Sequence, residues 1–133
     1  MKQLIVAYIT SLVSMLAIDS VWLGTMMNRF YKSRMGHLLG DKVAYAPAVI
    51  FYLLYAVGVI LLVVQPALKQ STSLLHVFLY GALLGLVGYG TYDLTNQATL
   101  KNWPTSLTLV DLTWGALLTG IVSVLAVLVA RWL

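Results

Sequence analysis

The chain has no cysteine, only three prolines and few charges of either sign. Without cysteine there are no disulfides, no thiolate metal ligands and no cysteine nucleophile. Charged residues make up 9% of the 133 positions and hydrophobic residues 61%. A soluble domain carries about a quarter charged residues, so this chain cannot cover a water-facing surface and belongs in lipid. No glycine-rich phosphate loop with its lysine follows a strand, and no nucleophile elbow is present. The net charge is +4, from eight Lys and Arg against four Asp and no Glu. The cations lie mostly in loops and at the ends, where anionic headgroups account for them. With no basic stripe on a water-exposed element, nucleic acid is not expected as a partner.

What the chain does have is long apolar runs. Four stand out, over residues 4–27, 46–68, 74–97 and 105–131, each long enough for the roughly 20 residues of a helical span. Four strands cannot close a barrel in lipid, so the expected fold is all-α: one membrane domain over residues 1–133, built as a four-helix bundle. Pro47 suits a helix's first turn and Pro66 lies near the end of the second run. Thr105 or Ser106 is the expected N-cap of the fourth. The first run is too long for the apolar region of a signal peptide. Met15-Leu16-Ala17 also lacks the small residue a cleavage site needs first, so a retained helix is expected.

Four spans put both ends on one side, with Lys2, Lys69 and Arg131. The other side holds Arg29, Lys32, Arg34, Lys42 and Lys101. The excess favours both termini outside and residues 28–45 in the cytoplasm, as expected across a cytoplasmic membrane. That segment alternates its cations with Phe30, Tyr31, Met35, Leu38 and Leu39. It reads as a cationic loop lying on headgroups, with a cap over a substrate site as the sharper alternative.

Three of the four aspartates fall inside the spans, where an ionisable residue costs a few kcal/mol even on lenient scales. Counting from the expected helix ends at 1.5 Å per residue, Asp19 lies roughly 12 Å deep, Asp93 roughly 6 Å and Asp111 roughly 9 Å. Helices one and three end on the same side and helix four begins there, so the three carboxyls gather in one leaflet. Helical phase turns them inward. Tyr8, Ser11, Met15, Asp19, Trp22 and Met26 form one stripe. Gly81, Gly85, Gly88, Tyr92, Thr95 and Asn96 share a face of helix three, with Tyr89 and Asp93 on its flank. Asp111, Gly115, Leu118 and Val122 align on helix four. The spacings Gly81–Gly85 and Gly115–Thr119–Ser123 let another backbone approach closely, and spare small-residue faces permit a homodimer. Helix two brings Tyr52 and Tyr55 to the same side. The candidate ligand-binding or proton-carrying residues are therefore Asp19, Trp22, Tyr52, Tyr89, Tyr92, Asp93, Asn96, Asp111 and Trp114.

A local echo joins the first and last helices: Asp19-Ser-Val-Trp22 and Asp111-Leu-Thr-Trp114. The two helices run in opposite directions, so this is not a simple repeat, and matches this short arise readily by chance. Carboxyls sharing a low-dielectric site resist ionising together, which suits proton-coupled exchange or acid/base work. Three uses stay open: locking helix packing through Tyr, Thr, Asn or Trp donors, a ligand or substrate site, and an oxygen-rich metal site. The metal option has no diagnostic ligand spacing, so neither metal nor cofactor is expected. His37 sits in the loop and His76 at the opposite end of helix three, outside the cluster.

Ile18-Asp-Ser-Val-Trp-Leu-Gly24, the segment Tyr89-Gly-Thr-Tyr-Asp-Leu-Thr-Asn-Gln-Ala-Thr-Leu-Lys-Asn-Trp-Pro104 and Val110-Asp-Leu-Thr-Trp-Gly115 resemble a family of bacterial predicted membrane proteins catalogued as a domain of unknown function. The resemblance covers essentially the whole chain and implies a multi-pass bacterial membrane protein, without implying a reaction. The expected function is a carboxylate-lined intramembrane site that binds or helps modify a lipid or small apolar molecule, with membrane lipids as partners. The alternatives are a proton-coupled small-molecule transporter and a structural or assembly protein without a ligand. Whether the chain is an enzyme stays open.

Overall fold

The computed structural model describes residues 1–133, all of its regular structure helical. Four helices are long and apolar enough to cross a membrane: α1 (Lys2–Leu38), α2 (Tyr45–Gln70), α3 (Leu74–Thr99) and α4 (Thr105–Trp132). Large apolar side chains such as Val21, Leu54, Leu83 and Leu109 point outward, which is the arrangement lipid requires.

The first helix runs beyond the expected end near Met27. Its α-helical body, Lys2–Met26, passes into a wide π turn at Met27–Tyr31, then an α turn at Lys32–Met35 and a 3-10 turn at Gly36–Leu38. Residues 27–35 contain neither Gly nor Pro to stop a helix, and their aromatic and Met side chains find a surface to bury. Tyr31 packs with Trp103 and Leu107, flanked by Phe30 and Met35. The segment thus folds back onto the bundle, while Arg29 and Lys32 stay exposed.

α2 carries a second π turn at Ile60–Val64, just ahead of Pro66. Proline has no N–H to donate and its ring crowds the preceding turn, so local widening relieves the helix. The N-cap of α4 is Pro104, with no side-chain cap, in place of the expected Thr105 or Ser106. A missing N–H is harmless there, because the first turn has no intrahelical acceptor for it.

α3 and α4 pack most intimately, through small residues. A Cβ at Gly81 would lie 2.8 Å from the Thr119 carbonyl oxygen, and one at Gly85 would strike the Gly115 backbone. The small faces on both helices are therefore spent on each other, inside the bundle. The inward line of α3 is Val77, Gly81, Gly85, Tyr89 and Asp93, at four-residue spacing. Tyr89 and Asp93, expected on the flank, are central, Thr95 turns outward, and Tyr92 sits at the edge, half exposed. On α1 the inward stripe is Ser11, Met15 and Asp19, with Tyr8 and Trp22 partly buried.

One half of the bundle is an apolar core of Ala7, Val59, Val63, Val64, Val77, Ala126 and Val127. Arg131 closes that end by donating to the Thr72 carbonyl at 2.6 Å. Met15, Ala56, Leu118 and Val122 form the middle layer. The other half holds the polar residues.

Candidate functional site

The α3–α4 connection is short, and Asn102 takes the left-handed backbone conformation (φ 60°) that turns it. Asn tolerates that region better than most residues. The turn sets the two helix ends side by side and tucks Trp103 beneath them. Asp93 lies six residues before Thr99 and Asp111 six after Thr105, so both sit roughly 9 Å from the turn. α1 runs past at the same level and adds Asp19.

The three carboxyls line one cavity of about 210 Å³. Of the nine expected residues, Asp19, Trp22, Tyr89, Tyr92, Asp93, Asp111 and Trp114 form its wall. Tyr52 stands behind the wall and donates its hydroxyl to Asp19. Asn96 is not part of the lining and makes no side-chain hydrogen bond. It lies beyond Asp93 on the partly exposed side of α3.

The surroundings of the carboxyls differ. Asp19 accepts from the Trp114 indole N–H at 3.0 Å in addition to Tyr52. Asp111 accepts from the Tyr31 hydroxyl at 2.9 Å, and Tyr31 in turn accepts from the Trp22 indole at 3.0 Å. Asp93 is 0% exposed, and neither of its carboxyl oxygens accepts from an N–H or a hydroxyl. Its one polar neighbour is Asp111, within side-chain hydrogen-bonding reach, with which it can share a proton. No Lys or Arg lines the cavity; the three aspartates are its only lining residues that are neither apolar nor aromatic.

The two Asp-x-x-Trp segments are crossed. Trp114, from the second segment, serves the aspartate of the first. Trp22, from the first, serves the aspartate of the second through Tyr31. The indoles meet face to face, with centroids 4.1 Å apart and planes within 7°. Opposite them, Trp103 packs edge-on against Tyr92 at 5.8 Å and anchors its own N–H on Thr108 at 3.0 Å.

Sequence reasoning missed Tyr31, Trp103 and the apolar lining from Met27, Met35 and Leu39. In an uninterrupted helix, residues nine apart, such as Trp22 and Tyr31, point to opposite sides. The π turn absorbs about one residue and swings Tyr31 round to the Trp22 side. The only signal was the alternation of aromatics with cations in residues 28–45. The segment forms a cap over the cavity as well as presenting its cations outward.

The cavity stops at the middle layer, where Met15, Leu118 and Val122 are at most 1% exposed. On the outer face, a gap lined by Phe51, Gly88, Tyr89, Tyr92 and Asp111 reaches toward the same carboxyl. The three aspartates do not form a cluster with metal-binding geometry.

The chain belongs to the family of predicted membrane proteins DUF2177, whose sequence pattern matches residues 4–128. No curated protein and no solved structure matches it. The family is one of predicted membrane proteins, and the fold gives the chain four helices long and apolar enough to span, as in a multi-pass membrane protein.

Proposed function

We propose that the cavity holds the polar end of a lipid or other small amphiphile within the membrane, with Asp93 as the group that binds it. The observation that carries this reading is the bare carboxyl of Asp93. Asp19 and Asp111 are each met by donors from other helices, whereas Asp93, the most deeply enclosed of the three, is met by no N–H or hydroxyl. Leaving a buried polar group unpaired costs about 1–3 kcal/mol, more for a charge. Packing alone gives no return for that cost; a ligand with a hydrogen-bond donor does. Asp19 and Asp111 then act as braces, fixing the stacked indoles and Tyr31 as walls of the site.

Size supports a headgroup rather than a whole lipid. At roughly 30 Å³ per water, 210 Å³ is the space of about seven waters. The apolar part stays outside, and the gap beside Phe51 and Tyr92 gives it a way to lie against the bundle. Proton-coupled transport is the second reading, favoured by the proximity of Asp93 and Asp111. It has less support, since the cavity ends on a close-packed apolar layer and has no path to the far side.

On the cation balance, both termini face outside a cytoplasmic membrane and the cap over residues 28–45 faces the cytoplasm. Native mass spectrometry of the detergent-purified chain tests the binding reading. The expected result is a retained amphiphile whose occupancy falls at least tenfold in Asp93→Leu. A chain that carries no adduct from any membrane-lipid mixture defeats it, as does one whose adducts are indifferent to Asp93.

A further inference from the structure

We infer that the polar group this cavity accepts is a primary ammonium carried on an apolar body; the inference rests on the reading of the cavity as a ligand site. The lining combines three carboxyls with aromatic faces and contains no basic side chain. An anionic headgroup would meet uncompensated like charge there. A neutral hydroxyl brings a single donor. An ammonium brings three N–H donors and a charge opposite to that of the wall, and Asp93 offers two oxygens that no N–H or hydroxyl of the protein engages.

The aromatic walls point the same way. Ring faces attract cations within about 6 Å, most strongly Trp and most of all where water is excluded. Trp22, Trp114, Trp103, Tyr89 and Tyr92 all border the space. Tyr52, Trp114 and Tyr31 donate to Asp19 and Asp111, so Asp93 is the carboxyl left to receive the ligand's N–H groups. A quaternary ammonium would satisfy the rings but would leave the Asp93 oxygens without a donor. Primary amines are therefore distinguished both from neutral alcohols, by charge, and from quaternary amines, by hydrogen bonding.

Tryptophan emission reads this directly, because three of the four tryptophans line the cavity and Trp132 lies 90% exposed at the opposite end. The full chain in phosphatidylcholine nanodiscs is titrated with dodecylamine, dodecyltrimethylammonium and dodecanol. The expected result is at least tenfold tighter binding of dodecylamine than of either other probe. Asp93→Asn should abolish that preference while keeping the response to dodecanol. Equal binding of dodecylamine and dodecanol overturns the ammonium inference and leaves the amphiphile site standing. Tighter binding of the quaternary probe overturns the N–H argument. Binding of none of the three removes the site and the inference together. The probe series on the unaltered chain decides the matter even if the variant does not fold. Adding phosphatidylethanolamine to the nanodiscs then identifies the source. Weaker dodecylamine binding marks a lipid headgroup as the occupant and unchanged binding marks a free amine, each in keeping with the ammonium assignment.

Discussion

Asp93 and Asp19 sit in one cavity, are both buried, and should respond in opposite directions to loss of the carboxylate. Asp93→Leu, of similar volume, removes a carboxyl that no N–H or hydroxyl meets, so the empty protein is relieved of a desolvation cost of about 1–3 kcal/mol. Stability should rise accordingly, by roughly 5- to 150-fold in the folding equilibrium. Asp19→Asn instead weakens an acceptor held by two donors, Tyr52 and Trp114. Hydrogen bonds to a charged group are worth about 1.5–3 kcal/mol, and an amide keeps only one acceptor oxygen, so the expected loss is about 1–2 kcal/mol. Reversible unfolding in mixed micelles of increasing SDS content, followed by tryptophan emission, measures both variants against the parent, with the chain first stripped of lipid. If Asp93→Leu destabilises the empty chain as much as Asp19→Asn, then Asp93 has a structural partner and the reasoning that makes it a ligand-binding group collapses.

Other consequences are open to direct measurement. Tyr31→Phe cuts the relay from Trp22 to Asp111 and should cost about 1 kcal/mol in the same unfolding assay; no change would mean that the cap is not fastened through this hydroxyl. Gly85→Ala drives a methyl into the Gly115 backbone and should cost about 1–3 kcal/mol, whereas Gly58→Ala, with open space around it, should be neutral or stabilising by up to about 1 kcal/mol. Equal effects from the two glycines would contradict the close α3–α4 approach. Because the chain has no cysteine, single cysteines at Ser33 and Thr72 report sidedness in intact cells: an impermeant maleimide should reach Thr72→Cys and spare Ser33→Cys. The reverse pattern inverts the proposed orientation.

Much of the architecture was legible because lipid imposes simple rules. Apolar runs of span length had to be helices, and the small-residue spacings on α3 and α4 anticipated the surfaces that meet. The convergence of the aspartates followed from counting residues to the ends of α1, α3 and α4, and their shared cavity agrees with that count. The face of α3 was harder. Thr95 and Asn96 look as fit to line a polar site as Tyr89 and Asp93, and a small shift in helical phase decides between them. The π turn was not legible at all, since Met27–Tyr31 has no distinctive composition. It forms because Tyr31 gains Trp103, Leu107 and Asp111 as neighbours, and those come from the far end of the chain. The crossed pairing of the two Asp-x-x-Trp segments was hidden for the same reason: the echo shows in sequence, but which indole serves which carboxyl is settled only by packing.

That crossing has a bearing on how the protein is made. Helices leave the ribosome in order, and α1 and α4 are the first and last of the four. When α1 enters the bilayer, Asp19 has neither of its donors. Tyr52 arrives with α2, and Trp114 only when α4 is inserted. Asp111, on that same last helix, needs Tyr31, which has been waiting since the beginning. A nascent chain halted after α3 therefore holds Asp19 with only one of its two donors, a defect that insertion of the last helix repairs. Completion of the pocket coincides with completion of the bundle.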